Sequence, residues 1–136
     1  MSRHVAANGA RLLSLMVLVV VGCGAGGPEL GEVSGIVTLD GKPVPNAFVT
    51  FAPEAAGRPS QAKTDEEGRY KLQFSPSREG ALLGHHDVRV STQDIDDAGR
   101  SLPERIPEQY HAQGSIPVTI REGANEINLE LTTTPP

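Results

Sequence analysis

Apolar and polar residues alternate with a period of two along most of this chain. Val33, Val37 and Leu39 alternate with Ser34 and Thr38; Ala47, Val49 and Phe51 follow; Tyr70, Leu72 and Phe74 stand between Arg69, Lys71 and Gln73. The pattern returns with Val88 and Val90 between Asp87, Arg89 and Ser91, and with Ile116, Val118 and Ile120 between Pro117, Thr119 and Arg121. Ile127, Leu129 and Leu131 repeat it between Asn128 and Glu130. Successive side chains of a strand point to opposite faces, so each segment predicts a strand with one buried and one wet face. Such strands suit antiparallel sheets packed face to face. Asp40-Gly41 ahead of Pro43 predicts a tight turn, and Asp65 to Gly68 a second hairpin, entered by Gln61 to Thr64 as a short edge strand. The total is about seven strands, the count of a small sandwich. No helical period of useful length appears; Asp96 to Arg105 comes nearest, and Pro103 breaks it.

The first residues follow a different pattern. Arg3 and Arg11 form a basic head, Leu12 to Val21 is apolar except for Ser14, and small Gly22 precedes Cys23, which together read as an export signal. The apolar segment is too short for a stable crossing helix, which takes roughly 20 residues. Cys23 is the only cysteine in the chain. Val20-Val21-Gly22-Cys23 resembles the lipobox of bacterial lipoproteins. The resemblance implies a diacylglyceryl group on the Cys23 thiol, cleavage before Cys23, and often a further acyl group on the new amino terminus. Membrane lipid is then the first partner, through acylated Cys23. The alternative is an ordinary secretory signal that leaves an unpaired thiol in an oxidising compartment. Two or three acyl chains hold a small domain on a membrane where one holds it only reversibly. Gly24 to Gly31, Gly-rich with Pro28, reads as a flexible tether. Gly24, in place of an aspartate, resembles lipoproteins passed on to an outer membrane rather than kept at the inner one.

The expected organisation is a signal over 1–22, a lipidated tether over 23–31, one β-sandwich over 32–132 and a tail over 133–136. Taking 22 residues from 136 leaves 114, enough for one hydrophobic core without disulfides. The signal carries two of the 12 Lys and Arg and none of the 17 Asp and Glu, so the mature chain has net charge −7. That balance excludes nucleic acid, whose phosphates demand a basic surface.

Val33-Ser34-Gly35-Ile36-Val37, Asp40-Gly41-Lys42-Pro43-Val44-Pro45-Asn46-Ala47-Phe48-Val49 and Thr64-Asp65-Glu66-Glu67-Gly68-Arg69-Tyr70 carry a second resemblance. They are similar to the carboxypeptidase regulatory-like domain, a transthyretin-like, seven-stranded antiparallel sandwich, over roughly Glu32 to Val90. A later Pro107-Glu108-Gln109-Tyr110 resembles a segment of small lipoproteins built from one such domain. The resemblance implies a fold and no activity. The chain ends Leu-Thr-Thr-Thr-Pro-Pro, without the Tyr-Arg-Gly-Ser ending of the related urate-pathway hydrolase. Intradiol dioxygenases use two tyrosines and two histidines on iron, but adjacent His85 and His86 must point to opposite faces of a strand.

Candidate chemistry is sparse. His86 shares the inward parity of Val88 and Val90, which fits a buried histidine satisfied by backbone; with His111 it is the candidate metal pair. Asp94, Asp96 and Gly99 imitate the start of a calcium loop, but Ala98 and Arg105 stand where oxygen ligands belong. No arrangement activates a serine. No catalytic residue and no cofactor are expected. Thr92 to Ser115 is long for a loop without a strand of its own, and such loops either work or are simply mobile, the latter being the alternative here. Ile106 and Tyr110 are expected to pin its far end, with Arg100, Arg105 and Tyr110 as the candidate partner-binding residues. The expected function is a non-catalytic, lipid-anchored envelope module whose partner is a protein, peptide or glycan. The alternative is a small envelope metal-binding protein or hydrolase using His85, His86, His111 and Tyr110.

Overall fold

The computed structural model describes residues 27–111 and 116–134; the expected export signal over 1–22 and Cys23 lie outside the described residues. Among the described residues the strands are β1 (Leu30–Leu39), β2 (Lys42–Pro43), β3 (Phe48–Pro53), β4 (Ser60–Lys63), β5 (Arg69–Lys71), β6 (Gln73–Ser75) and β7 (Arg78–Glu79). They continue as β8 (Ala81–Leu82), β9 (Gly84–Ser91), β10 (Asp94–Ile95), β11 (Ser101–Leu102), a 3₁₀ turn (Glu108–Tyr110), β12 (Ile116–Ile120), β13 (Ala124–Glu126) and β14 (Leu129–Leu131). The architecture is all-β with two main sheets, as the alternation predicts.

The first sheet is built around β1. On one side β8, β5 and β2 pair with it antiparallel, at Leu30↔Leu82, Gly35↔Tyr70 and Thr38↔Pro43. On the other side β13 and β14 pair with it in parallel, at Val33↔Asn125 and Leu39↔Leu131. The second sheet has the order β12-β9-β3-β4-β6-β7, with antiparallel neighbours. Fully buried Val37, Val49, Phe51, Leu72, Val88 and Val90 fill the space between; each contributes roughly 1.5–3 kcal/mol. The Phe51 and Tyr70 rings lie 6.2 Å apart across it, and Tyr70 Oη donates to the Ile127 carbonyl at 2.5 Å. A β-carbon on Gly35 would sit 1.9 Å from that same Ile127 oxygen. Glycine there lets the last strand approach β1 closely.

Several expectations need correction. The sheets are not purely antiparallel: β12 lies in the second sheet, turns through Arg121–Gly123, and the chain returns along β1 in the same direction. The run from Tyr70 to Phe74 is not one strand. Tyr70 pairs with β1 while Gln73 pairs with β4, and the chain crosses between sheets at Leu72, whose N–H still bonds Val33 O at 2.9 Å. Crossings of this kind raise the number of strands above seven. The segment starting at Ser60 is no edge, because β4 pairs on both sides, with β3 and β6. The folded unit also extends past 32–132: Leu30 and Gly31 belong to β1, and Thr133 donates through N–H (3.1 Å) and Oγ1 (2.7 Å) to Asp40.

The turns follow their chemistry. Asp40 (φ 51) and Gly41 (φ 82) make the two-residue turn between β1 and β2, the left-handed pair that matches strand twist. Asp65 to Arg69 forms the expected turn, but the strands it joins go to different sheets.

Strand direction defines two poles. β1 and the β13–β14 stretch start together, β3, β5 and β12 end beside them, and residues 27–29, 54–59, 76–84 and 121–123 gather at this tether pole. Residues 40–47, 64–68, 92–111 and 132–134 gather at the other. Ten residues of β1 separate the poles by about 30 Å at roughly 3.3 Å per step.

Candidate functional site

Residues 92–111, which follow β9, lie at the pole opposite residues 27–29. This loop is not structureless: β10 and β11 pair at Asp94↔Leu102 and Ile95↔Ser101. Asp96 closes their tip, its Oδ1 accepting from Ala98 N (3.0 Å) and Arg100 N (2.8 Å), with Gly99 at φ 79. The first turn at this pole repeats the device, Asp65 Oδ1 accepting from Glu67 N (3.0 Å) and Arg69 N (2.8 Å) with Gly68 at φ 75. Asp-x-x-Gly-Arg thus encodes one hairpin tip twice. The calcium-like carboxylate of Asp96 is spent on its own backbone and on Arg100 Nε at 2.8 Å.

Glu104 ties the base of the loop to the sandwich. Its Oε1 accepts from Thr92 N (2.7 Å), Thr92 Oγ1 (2.7 Å) and Ile106 N (3.0 Å), and its Oε2 from Ser91 Oγ and Gln93 N (3.3 Å). Buried Thr92 in turn accepts from Arg105 N at 2.7 Å. Partial burial pushes the Glu104 carboxyl up, but the bonds from Ser91, Thr92 and Ile106 together outweigh it and hold the group down at about 2. A lone glutamate in a polar stretch gives no periodic signal, which is why sequence reasoning passes over it.

The expected partner-binding residues separate. Arg100 extends from the hairpin tip with its side chain 80% exposed. Arg105 turns back and donates through Nη2 to Pro45 O at 2.7 Å, so it braces the loop. Ile106 is buried, and Tyr110 Oη accepts from Thr132 N at 3.1 Å, pinning the far end as expected. Residues 112–115, the end of the expected loop, lie outside the described residues.

Exposed apolar side chains gather at this pole. Ile95 is 66% exposed, Leu102 42% and Phe48 38%, three of the four large exposed apolar side chains among the described residues. In the β10–β11 register Ile95 stands opposite Ser101 and Leu102 opposite Asp94, so the two side chains leave opposite faces of the ribbon; Ile95 and Phe48 line one shallow pocket. Lys63 Nζ stands 4.9 Å from the centre of the Phe48 ring and 2.9 Å from Asp94 Oδ2. A cleft of about 540 Å³ runs under the hairpin between Asn46, Lys63, Asp94, Ile95 and Leu102. Such an arrangement, apolar centre and polar rim, suits recognition. The Ser91 and Thr92 hydroxyls at its base donate to Glu104, a carboxylate held too acidic to serve as a strong base.

The histidines lie elsewhere. His85 is on the outer face of β9, with Nδ1 3.0 Å from Thr119 Oγ1. His86 faces inward and is 1% exposed, its Nε2 2.7 Å from Leu82 O. A carbonyl only accepts, so Nε2 carries a proton, and Nδ1 has no hydrogen-bond partner. Phe51, 6.1 Å away, covers this ring. His111 follows the 3₁₀ turn at the far pole, beside Tyr110. The four residues of the metal or hydrolase alternative are therefore not brought together, and no group of three metal-ligating side chains forms among the described residues.

No family model matches the chain, and no curated protein matches it. Among solved structures it is similar to a DUF3823 family protein from Parabacteroides merdae ATCC 43184, with 16% identity and TM-score 0.43 over 76% of this chain and 46% of that one. It is also similar to a 9R-lipoxygenase from Cyanothece PCC8801, with 15% identity and TM-score 0.39 over 76% of this chain and 16% of that one. The chain spans less than half the length of either protein, and similarities this slight carry no argument about its role.

Proposed function

We propose that this chain is a non-catalytic, lipid-anchored module of the cell envelope, of the carboxypeptidase regulatory-like type, that holds the pole with exposed Phe48, Ile95 and Leu102 away from the membrane for a partner. The observation that carries the reading is the opposition of the two poles. The chain enters the sandwich a few residues after Cys23, and the exposed apolar hairpin stands at the other end. Acylated Cys23 supplies the anchor, and the tether with the body sets the reach. With a single ring on the face, a polypeptide fits it better than a glycan. Acidic residues at this pole, among them exposed Asp65, Glu66, Glu67 and Asp97, outnumber basic ones such as Lys63 and Arg100, so a basic complementary surface fits it better than an acidic one.

The test places a photo-crosslinking amino acid at Ile95 or Leu102, with Thr119 on the outer sheet face as control, in cells that export the protein. Discrete adducts from positions 95 and 102 and none from 119 are expected. Equal labelling at all three, or none, contradicts the reading.

A further inference from the structure

The tether enters the body beside a second cleft, and this one is apolar. Pro53, Ala55, Ala56, Leu82 and Leu83 line a cavity of about 660 Å³, with Pro28 and Glu29 as one wall. Its volume lies within the roughly 300–1,000 Å³ of small-ligand pockets. The walls are fixed by backbone pairing: Leu82 pairs with Leu30 in the first sheet, and Glu54 N donates to His85 O at 3.0 Å. Arg78 Nη2 donates to Pro28 O at 2.9 Å and holds the incoming chain against the body. Half-buried Pro53, Leu82 and Leu83 form the floor of the cleft, and exposed Pro28, Glu29, Glu54, Ala55, Ala56 and His85 form its rim.

Where the chain goes next identifies what fills this space. Cys23 precedes Pro28 by five residues, a span of at most about 18 Å at 3.3–3.6 Å per residue. Anything apolar attached to Cys23 is therefore within reach of a cleft whose wall is the tether itself. We propose that, when the protein is outside a bilayer, one acyl chain of the lipid on Cys23 folds back into this cleft. The proposal rests on the anchoring reading above and deepens it. In water both the chain and the cleft expose apolar surface, and mutual burial removes both. In a bilayer the chain is already in an apolar medium, so the cleft releases it and the anchor inserts. The cleft thus serves as a shelter for the lipid between membranes.

The experiment uses the full chain, produced in a bacterial host fed a fatty acid that carries a photoreactive diazirine. Purified protein is irradiated after detergent removal and, separately, after reconstitution into phosphatidylethanolamine–phosphatidylglycerol vesicles. Isotope-mixed samples tell intramolecular links from links between copies. The expected result is a link from the Cys23 lipid to peptides holding Pro53–Ala56 or Leu82–His85 in water, at least fivefold weaker in vesicles. Ala56→Trp, which fills the cleft from an exposed loop, is expected to abolish those links with an unchanged circular dichroism spectrum. Persistence of the links in that variant, or links only to other parts of the chain or to other copies, would overturn the proposal. Links at these peptides in Cys23→Ala would assign the cleft to free or bilayer lipid and overturn it too. Absence of label from the wild-type chain would sink the anchoring reading along with it, whereas label without cleft links sinks the proposal alone.

Discussion

Replacing Glu104 by glutamine removes a charge at the point where the far-pole loop is tied to the sandwich. The carboxylate accepts five hydrogen bonds in all, from Ser91, Thr92 (two), Gln93 and Ile106. Glutamine can keep the three on one oxygen but turns an NH₂ toward the Gln93 N–H, so donor meets donor. The carboxyl is lowered from its ordinary 4.5 to about 2, a gap worth about 3 kcal/mol at 1.36 kcal/mol per pKa unit. The side chain is only partly buried, and solvent screening reduces this to roughly 1–2 kcal/mol. The sign follows from linkage: a depressed carboxyl stabilises the fold above its unfolded value, and the contribution is lost as pH falls from about 4.5 to 2. Urea unfolding followed by far-ultraviolet circular dichroism should therefore show wild type more stable than Glu104→Gln by roughly 1–2 kcal/mol at pH 6, with the difference shrinking toward zero near pH 2. Amides of Thr92 and Ile106 should exchange faster in the variant. A difference that stays constant from pH 6 to pH 2 would refute the charge-based network.

Other substitutions probe separate parts of the account. Gly35→Ala drives a β-carbon into the Ile127 carbonyl and should cost about 1–3 kcal/mol, read as a lower urea midpoint at unchanged slope. Tyr70→Phe leaves that carbonyl without its phenol donor and should cost roughly 1–2 kcal/mol by the same measurement. Burial pushes the Tyr70 phenol far up, while hydrogen bonding to Thr132 holds Tyr110 below its usual value. The stabilisation from neutral Tyr70 is present below the ordinary value near 10 and lost as pH rises beyond it. An absorbance titration at 295 nm (roughly where tyrosinate absorbs) should show one tyrosine ionising in the fold and the second only with alkaline unfolding. Ile95→Ser with Leu102→Ser should change stability by no more than about 0.5 kcal/mol yet abolish adducts from a photo-crosslinking amino acid placed at exposed Ser101 on the same hairpin.

The two layers and their core were readable because burial leaves a period-two imprint: Val49, Phe51, Val88, Val90, Leu129 and Leu131 are all buried as their alternation demands. Phe48, with opposite parity, is exposed as expected. What alternation cannot encode is which sheet a residue joins. Tyr70 and Gln73 sit in different sheets, yet both sheets face one core, so the period passes through the crossing at Leu72 unbroken. Parallel pairing of β13 and β14 with β1 depends on the path of the preceding turn, again invisible to a local pattern. At the candidate site, the anchors Ile106 and Tyr110 could be named in advance because apolar and aromatic residues in a polar loop seek the core. The repeated Asp-x-x-Gly-Arg was in plain view and predicts the β10–β11 hairpin once it is read as a turn. Arg105 looked like a free contact and proves to be a brace, since nothing in the sequence marks the Pro45 carbonyl as its partner.

The central claim is that lipid on Cys23 holds a β-sandwich by one pole while the other faces outward. Its most direct measurement is the intact mass of the protein extracted from membranes of cells producing the full chain, alongside Cys23→Ala. The account predicts a polypeptide that begins at Cys23 and carries the added mass of a diacylglyceryl group, with the Cys23→Ala chain uncut and unlipidated. A protein recovered in the aqueous fraction with a free Cys23 thiol would contradict it.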